Sequence, residues 1–368
     1  MTKQILICST VARTIEAFLI PHIKLLKGIG YEIDVAANFS DQTGNTELGS
    51  LVRKSYDLPF QRTPFSGKNF KAARELKSIA SKNNYDIVHF HTPIASAFGR
   101  FYIRGLRKEG LRILYTAHGF HFYKGAPIKN WIIYYPMEKF LSGNTDLLIT
   151  INEEDYSRAG EKLNQKELIK MPGVGIDTGK YADIEIDWAV KRKEIGVPDN
   201  AVLLISVGEL NENKNHKVII EAIPQLKTKK VYYVICGEGP EKNDLIRKTE
   251  DLDIADRVFL LGQREDVNEL LKVSDLFVFP SKREGLPVSV MEAMAAGLPV
   301  IASKIRGNMD LVVENEGGFL IDSVLDWSGV IDGFINHKEI RDSYSRFNLK
   351  RIRDFDIENI LEQLRKIY

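Results

Sequence analysis

Short apolar, β-rich runs recur along this chain, alternating with segments of helical spacing. In the first half QILICS, EIDVAA, DIVHFH, RILYTA and DLLITI read as strands, while IEAFLIPHIKLLKGIG and FKAARELKSIASKNN read as helices ending near Gly or Asn. The pattern restarts with AVLLISVG and continues through KVYYVICGEG, RVFLLG, LFVFPS and LPVIAS. Strands that are apolar on both faces need cover on both, so the alternation predicts parallel sheets sandwiched between helices. A chain of 368 residues exceeds one ordinary core, and two doubly wound α/β domains are expected. The break falls at MPGVGIDTGKYADIEID, where Pro, three Gly and scattered Asp interrupt the pattern. This divides the chain into residues 1–170, a linker over 171–187 and a second domain over 188–368, with the last helix able to pack back on the first domain. Ligands of such sheets bind beyond the carboxyl ends of the strands, so two domains facing each other are expected to form an interdomain cleft.

Composition narrows the class. Hydrophobic residues make up 44% and charged residues 27%, both globular values. No run of about 18 apolar residues could cross a bilayer, and MTKQILICST is too short and strand-like for a signal peptide, so a cytoplasmic location is expected. Cys8 and Cys236 each sit in an apolar run and read as reduced core residues. Net charge is +1, unevenly spread: residues 1–170 hold 24 basic and 16 acidic side chains, and the rest hold 27 and 34. The two halves are expected to meet different partners.

The segment SKREGLPVSVMEAMAAGLPVIAS, Ser281 to Ser303, puts Glu284 in a turn and Glu292 in a helix of about ten residues, with Pro287 in its first turn and Gly297 just past its end. On a single helix, eight residues would set the carboxylates about 80° and about 12 Å apart. A turn folding back over the helix N-terminus is needed to bring both to one cavity.

EGLPVSVMEAMAAGLPVIAS resembles the E-x7-E segment of the retaining, nucleotide-sugar-dependent glycosyltransferases of family 4, which have the GT-B fold of two facing Rossmann-like domains. DIVHFHTP, TAHGFHF, MPGVGID, SVGELNENKNH, ICGEGP, LGQREDV and SDLFVFPS stand in the expected order, so the resemblance covers nearly the whole chain. It is closest to the cytoplasmic enzymes of exopolysaccharide and capsule assembly. The resemblance implies that Glu284 contacts donor-sugar hydroxyls and Glu292 the nucleotide ribose. The backbone of Gly285, Leu286, Pro287 and Val288 opens a helix whose free N–H groups suit a diphosphate, although Pro287 has no N–H to give. Lys214, in a flexible loop after the strand that ends at Gly208, matches the family lysine that neutralises the departing diphosphate. Glu209 stands where that family often has a second cation. His118 matches the histidine near the donor's anomeric centre.

Other features carry less. Gly237 and Gly239 shape a strand-to-helix turn or touch a phosphate. His89 and His91 read as strand-end structure. Arg13, Thr14 and Lys124 are candidates for the acceptor side. Asp251 and Asp253 spell D-x-D but read as a solvated turn, and no metal or other cofactor is expected. The resemblance thus implies a metal-independent transfer of a hexosyl or N-acetylhexosaminyl group from a nucleotide sugar, with UDP as the expected nucleotide, to a polyprenyl-linked or other saccharide acceptor with retention. A nucleotide-sugar epimerase of the same fold and a catalytically silent nucleotide-sugar-binding subunit are the alternatives. No nucleic-acid partner is expected. In IASAFGRFYIRGLRKE, Arg100, Arg104, Arg107 and Lys108 interleave with apolar residues, which predicts peripheral contact with the anionic inner face of the cell membrane.

Overall fold

The computed structural model describes residues 2–40, 46–182, 184–322 and 327–368; Asp183, within the expected linker, lies outside them. The chain divides into two compact units, one of residues 1–174 with 357–368 and one of residues 175–356.

The first unit is built on a seven-stranded parallel sheet: β1 (Gln4–Val11), β2 (Glu32–Asn38), β3 (Lys54–Asp57), β4 (Ile87–Phe90), β5 (Arg112–Ala117), β6 (Leu147–Thr150) and β7 (Glu167–Lys170), in the order β3-β2-β1-β4-β5-β6-β7. Side chains alternate across it: Leu6, Cys8, Val88 and Phe90 enter one apolar layer, and Ile5, Ile7, Ile87 and Leu114 the other. The closing helix Ile357–Arg365 contributes Ile360 and Leu364 to the second layer. Just past it, the Tyr368 hydroxyl pairs with His89 Nδ1, while the Tyr31 hydroxyl donates to the Tyr368 carbonyl at 2.9 Å.

The second unit repeats the design with β8 (Val202–Val207), β9 (Val231–Cys236), β10 (Val258–Gly262), β11 (Leu276–Phe279), β12 (Val300–Ser303) and β13 (Gly318–Ile321), in the order β10-β9-β8-β11-β12-β13. Both sheets therefore reverse direction of growth beside their first strand, between β1 and β4 and between β8 and β11. That reversal opens a crevice at the carboxyl ends of the strands and is where ligands of such sheets bind. Among the described residues no helix is long and apolar enough to cross a membrane. Cys8 and Cys236 are both buried and free.

Several local expectations need correction. IEAFLIPHIKLLKGIG forms two helices, Ala12–Phe18 and Ile20–Gly28, because Pro21 lacks an N–H and suits only a first turn. The helix after Glu284 runs from Val288 to Ala295, so Pro287 is its N-cap rather than part of its first turn. Gly297, at φ +82°, follows the C-cap as expected. β3, β7 and β13 are not among the apolar runs read above; all three are edge strands, and β3 and β7 contain no buried residue, whereas β13, GFLI, is apolar and mostly buried.

Candidate active site

Lys214 and Glu284 meet at the strand-order reversal of the second unit. Lys214 lies in the loop leaving β8 and Glu284 in the loop leaving β11, and their Nζ and Oε1 atoms are 2.7 Å apart. Both side chains are largely buried, with the ammonium 4.7 Å from the centre of the Phe279 ring. Gly208 gives the lysine stem its path: a β-carbon there would lie 3.2 Å from Lys214 Cε.

The loop carrying Lys214 is pinned rather than flexible. The Lys214 amide donates to Asn211 Oδ1 at 3.0 Å, Asn213 Nδ2 donates to the Arg283 carbonyl at 3.0 Å, and the Lys282 amide donates to the Asn213 carbonyl at 2.8 Å. The asparagines of NENKNH thus tie the two loops that present the charged pair. The turn after β9 presses from the other side. A β-carbon on Gly237 would lie 2.0 Å from the Gly208 carbonyl oxygen, so Gly237 is needed for close backbone approach.

The Glu284 turn is held by a third loop. Arg306, itself buried, donates from Nε to the Glu284 carbonyl at 3.0 Å. At Gly307, φ is +82° and a β-carbon would come within 2.5 Å of the Gly285 carbonyl oxygen. Gly285, Leu286 and Pro287 lead into Val288, the first helical residue, and the helix has no side-chain cap, which leaves its first amides open to an anionic ligand.

Glu292 faces a different partner. The Tyr181 hydroxyl donates to its Oε1 at 2.7 Å. Burial raises the carboxyl above the usual glutamate range, and the tyrosine bond opposes that rise. The two glutamates therefore occupy separate environments, one ion-paired and one bonded to a phenol. Glu209 is exposed.

The first unit places a different chemistry at the ends of its strands. His89, at the end of β4, bonds Thr116 Oγ1 through Nε2 at 2.8 Å. The His91 ring lies beside it, tilted by 38°, at 4.1 Å between ring centres, and His118, one residue past β5, lies 5.7 Å from His91. His91 Nδ1 and His118 Nε2 are buried without a hydrogen-bond partner. Burial pushes His118 and His22 down to about 4 and His89 to about 3, with His91 also well below the ordinary imidazole value. Arg13 and Thr14 lie on the helix after β1, exposed and half-buried respectively. Lys124 is exposed, and its amide donates to Glu154 Oε1 at 2.6 Å.

Arg100 does not belong to a surface at all. It is fully buried, makes two 2.8 Å bonds to the Glu138 carboxylate, reaches Thr145 Oγ1 at 3.0 Å and lies over the Tyr115 ring. Arg107 is paired with Asp146 at 2.7 Å. The basic helix expected to face a membrane through these arginines is thus partly an interior device.

Comparison with known proteins bears on the whole chain. Residues 189–350 match the model of glycosyl transferases group 1, and residues 5–152 match that of glycosyl transferase 4-like domains. A putative glycosyltransferase, EpsD, of Bacillus subtilis (strain 168) is 41% identical over 325 residues, covering 87% of this chain and 84% of that protein. The chain belongs to the group 1, family 4-like glycosyltransferases.

Another relative in this family is the Escherichia coli UDP-Gal:alpha-D-GlcNAc-diphosphoundecaprenol alpha-1,3-galactosyltransferase, 32% identical over 277 residues and covering 73% of this chain and 69% of that one. Anabaena HepE, solved with UDP and glucose, superposes with a TM-score of 0.80 at 19% identity over 99% of both chains, so the two proteins share a fold. Tyr181, Arg306 and the bonding asparagines are not legible as site residues in the sequence. Only Gly307 carries a signal, a glycine directly after an arginine in a strand-to-helix loop.

Proposed function

We propose that the enzyme transfers a hexosyl or N-acetylhexosaminyl group from a UDP-sugar to a diphosphopolyprenyl-linked saccharide, with retention, in surface-polysaccharide assembly. The observation that carries this reading is the Lys214–Glu284 pair at the strand-order reversal of the second unit, next to an uncapped helix start. The E. coli relative, which by its name joins galactose to a diphosphoundecaprenol-linked sugar, supports the donor and acceptor classes. An ammonium group has three protons; one is committed to Glu284, and two remain for diphosphate oxygens. Glu284 accepts from donor-sugar hydroxyls, Glu292 from the ribose, and His118 lines the sugar side as a neutral imidazole. Arg13, Thr14 and Lys124 belong to the acceptor side.

The bond from the anomeric carbon to the diphosphate oxygen breaks while a bond forms to the acceptor hydroxyl oxygen on the same face. The acceptor's proton leaves on the departing diphosphate. Lys214 and the first amides of the Val288–Ala295 helix compensate the charge that develops, so no divalent ion is called for. The acceptor is glycosylated at the surface of an anionic bilayer, on which the enzyme rests peripherally.

The test is a transfer assay with UDP-sugars, a polyprenyl-diphosphate saccharide and EDTA, the product's anomeric configuration being read by NMR. Expected is an α-linked product from an α-linked donor, formed at an undiminished rate in EDTA. An inverted product, or loss of transfer in EDTA restored by a divalent ion, overturns the mechanism. An epimerised donor without acceptor identifies an epimerase, and UDP binding without turnover a silent subunit.

A further inference from the structure

The helix Ile128–Ser142 is apolar around most of its circumference. Trp131, Tyr134 and Tyr135 pack on the core of the first unit, and Glu138 and Leu141 are buried. The other side carries Ile128, Ile132, Pro136 and Phe140 at four-residue intervals, a spacing that lines them along one face. Ile128 is 78% exposed, Ile132 68% and Phe140 59%. Phe101, from the helix Pro93–Ile103, extends the stripe with its ring 6.3 Å from that of Phe140. A helix apolar all round is ordinarily buried all round, and contiguous exposed apolar surface of this kind marks a place where something docks.

The charge beside the stripe selects the occupant. Lys129 is exposed on the same helix, Lys139 is half-buried near its end, and the Arg104 guanidinium lies 4.1 Å from the centre of the Phe101 ring. The helix's one acid, Glu138, is turned inward and spent on Arg100. A second copy of the chain would set this face against itself in an isologous contact, bringing cations together with no acid of the helix opposite them. An anionic bilayer supplies both complements: an acyl boundary for isoleucine and phenylalanine, and head-group phosphates for lysine and arginine.

We infer that the stripe formed by Ile128, Ile132, Phe140 and Phe101 inserts as a shallow wedge into an anionic bilayer, the helix lying in the plane of the interface. The inference rests on the reading that the acceptor is glycosylated at a bilayer surface, and it relocates the contact from the basic helix to an apolar one. Binding is then only partly screened by salt, because apolar insertion is not electrostatic.

The experiment is co-sedimentation of the full chain with vesicles of phosphatidylcholine containing phosphatidylglycerol, at low and high salt. Three proteins are compared: wild type, the triple variant Ile128→Ser/Ile132→Ser/Phe140→Ser, and Arg104→Gln/Lys129→Gln/Lys139→Gln. Burying three large apolar side chains even in part predicts that the serine variant loses at least about tenfold in vesicle partition and all of the binding that survives high salt. The glutamine variant loses the salt-sensitive part. Melting temperature and transfer to a soluble acceptor analogue stay at wild-type values, since the altered residues are exposed apart from the half-buried Lys139, whose bond to Asn164 Oδ1 lies at the surface. Partition of the serine variant within twofold of wild type overturns the inference and leaves peripheral binding intact. No binding of wild type to any vesicle overturns both. A dimer in light scattering that the serine substitutions abolish, without a change in vesicle partition, assigns the stripe to self-association and also overturns it.

Discussion

At the strand-order reversal of the six-stranded sheet, Lys214 and Glu284 hold opposite charges 2.7 Å apart; near the matching reversal of the seven-stranded sheet stand His89, His91 and His118, which burial keeps neutral. The two units share strand order and parallel hydrogen bonding, and they differ in how their loops treat charge. In the second unit three loops converge, tied by asparagine and arginine bonds to backbone carbonyls, so a cation is held in place beside a carboxylate. In the first, the histidines lie side by side with tilted rings and nitrogens left unsatisfied, a wall without fixed charge. A shared fold therefore leaves the chemistry of its site to the loops.

The contrast is broken most directly by removing the charge. Lys214→Ala and Glu284→Ala are each expected to lower turnover by about 10²-fold or more, the scale for losing one preorganised electrostatic group. Steady-state kinetics check this, and a variant that keeps near-wild-type turnover takes its residue out of the site.

The neutral histidines make an opposite kind of claim, about acid. Their folded pKa values lie below the ordinary 6.5, at about 4 for His22 and His118 and about 3 for His89. Between those values the unfolded chain binds more protons than the folded one, so stability is fully present above pH 6.5 and is lost as pH falls toward 4. Each such histidine steepens the slope by up to about 1.4 kcal/mol per pH unit. The second unit has His216, shifted to about 4 in the same way, so the first unit should weaken more. Amide hydrogen exchange, corrected for its intrinsic pH dependence, is expected to show opening free energies in the first unit falling by at least about 2 kcal/mol from pH 6.5 to 5. Equal behaviour of the two units would erase the distinction.

Glu292 sharpens the comparison within the second unit. Glu292→Ala is expected to weaken UDP binding about tenfold, the scale of a charged hydrogen bond, with turnover at saturating donor little changed; calorimetry and kinetics separate the two. Tyr181→Phe removes one bond to that carboxylate and should weaken UDP binding by about threefold. Unchanged UDP affinity in both variants would detach the buried glutamate from the nucleotide.

The central strands of both sheets were legible in the sequence because cover on both faces forces continuous apolar runs. The edge strands β3 and β7 were not, since a strand such as KSYD needs only one neighbour and no buried side chain. Motif order singles out Lys214 and Glu284, and the structure brings the two together. Tyr181 was not legible, because its bond to Glu292 spans 111 residues of sequence and no local pattern encodes it. Arg100 failed for a related reason. Read alone, an arginine between phenylalanines looks like a surface residue, and an interior position becomes sensible only once Glu138, 38 residues later, is known to meet it.

That buried pair also settles a question the helix Ile128–Ser142 cannot answer by itself. With tryptophan, tyrosine and leucine on one side and isoleucine and phenylalanine on the other, hydrophobicity gives the helix little reason to prefer either rotation about its axis. Glu138 removes the choice, since a carboxylate beneath the surface is tolerable only where Arg100 awaits it. Rolling the helix by half a turn would strand a guanidinium in the interior and send Glu138 outward. The ion pair thus acts as a rotational key, and the outward aim of Ile132 and Phe140 is set from the inside of the molecule.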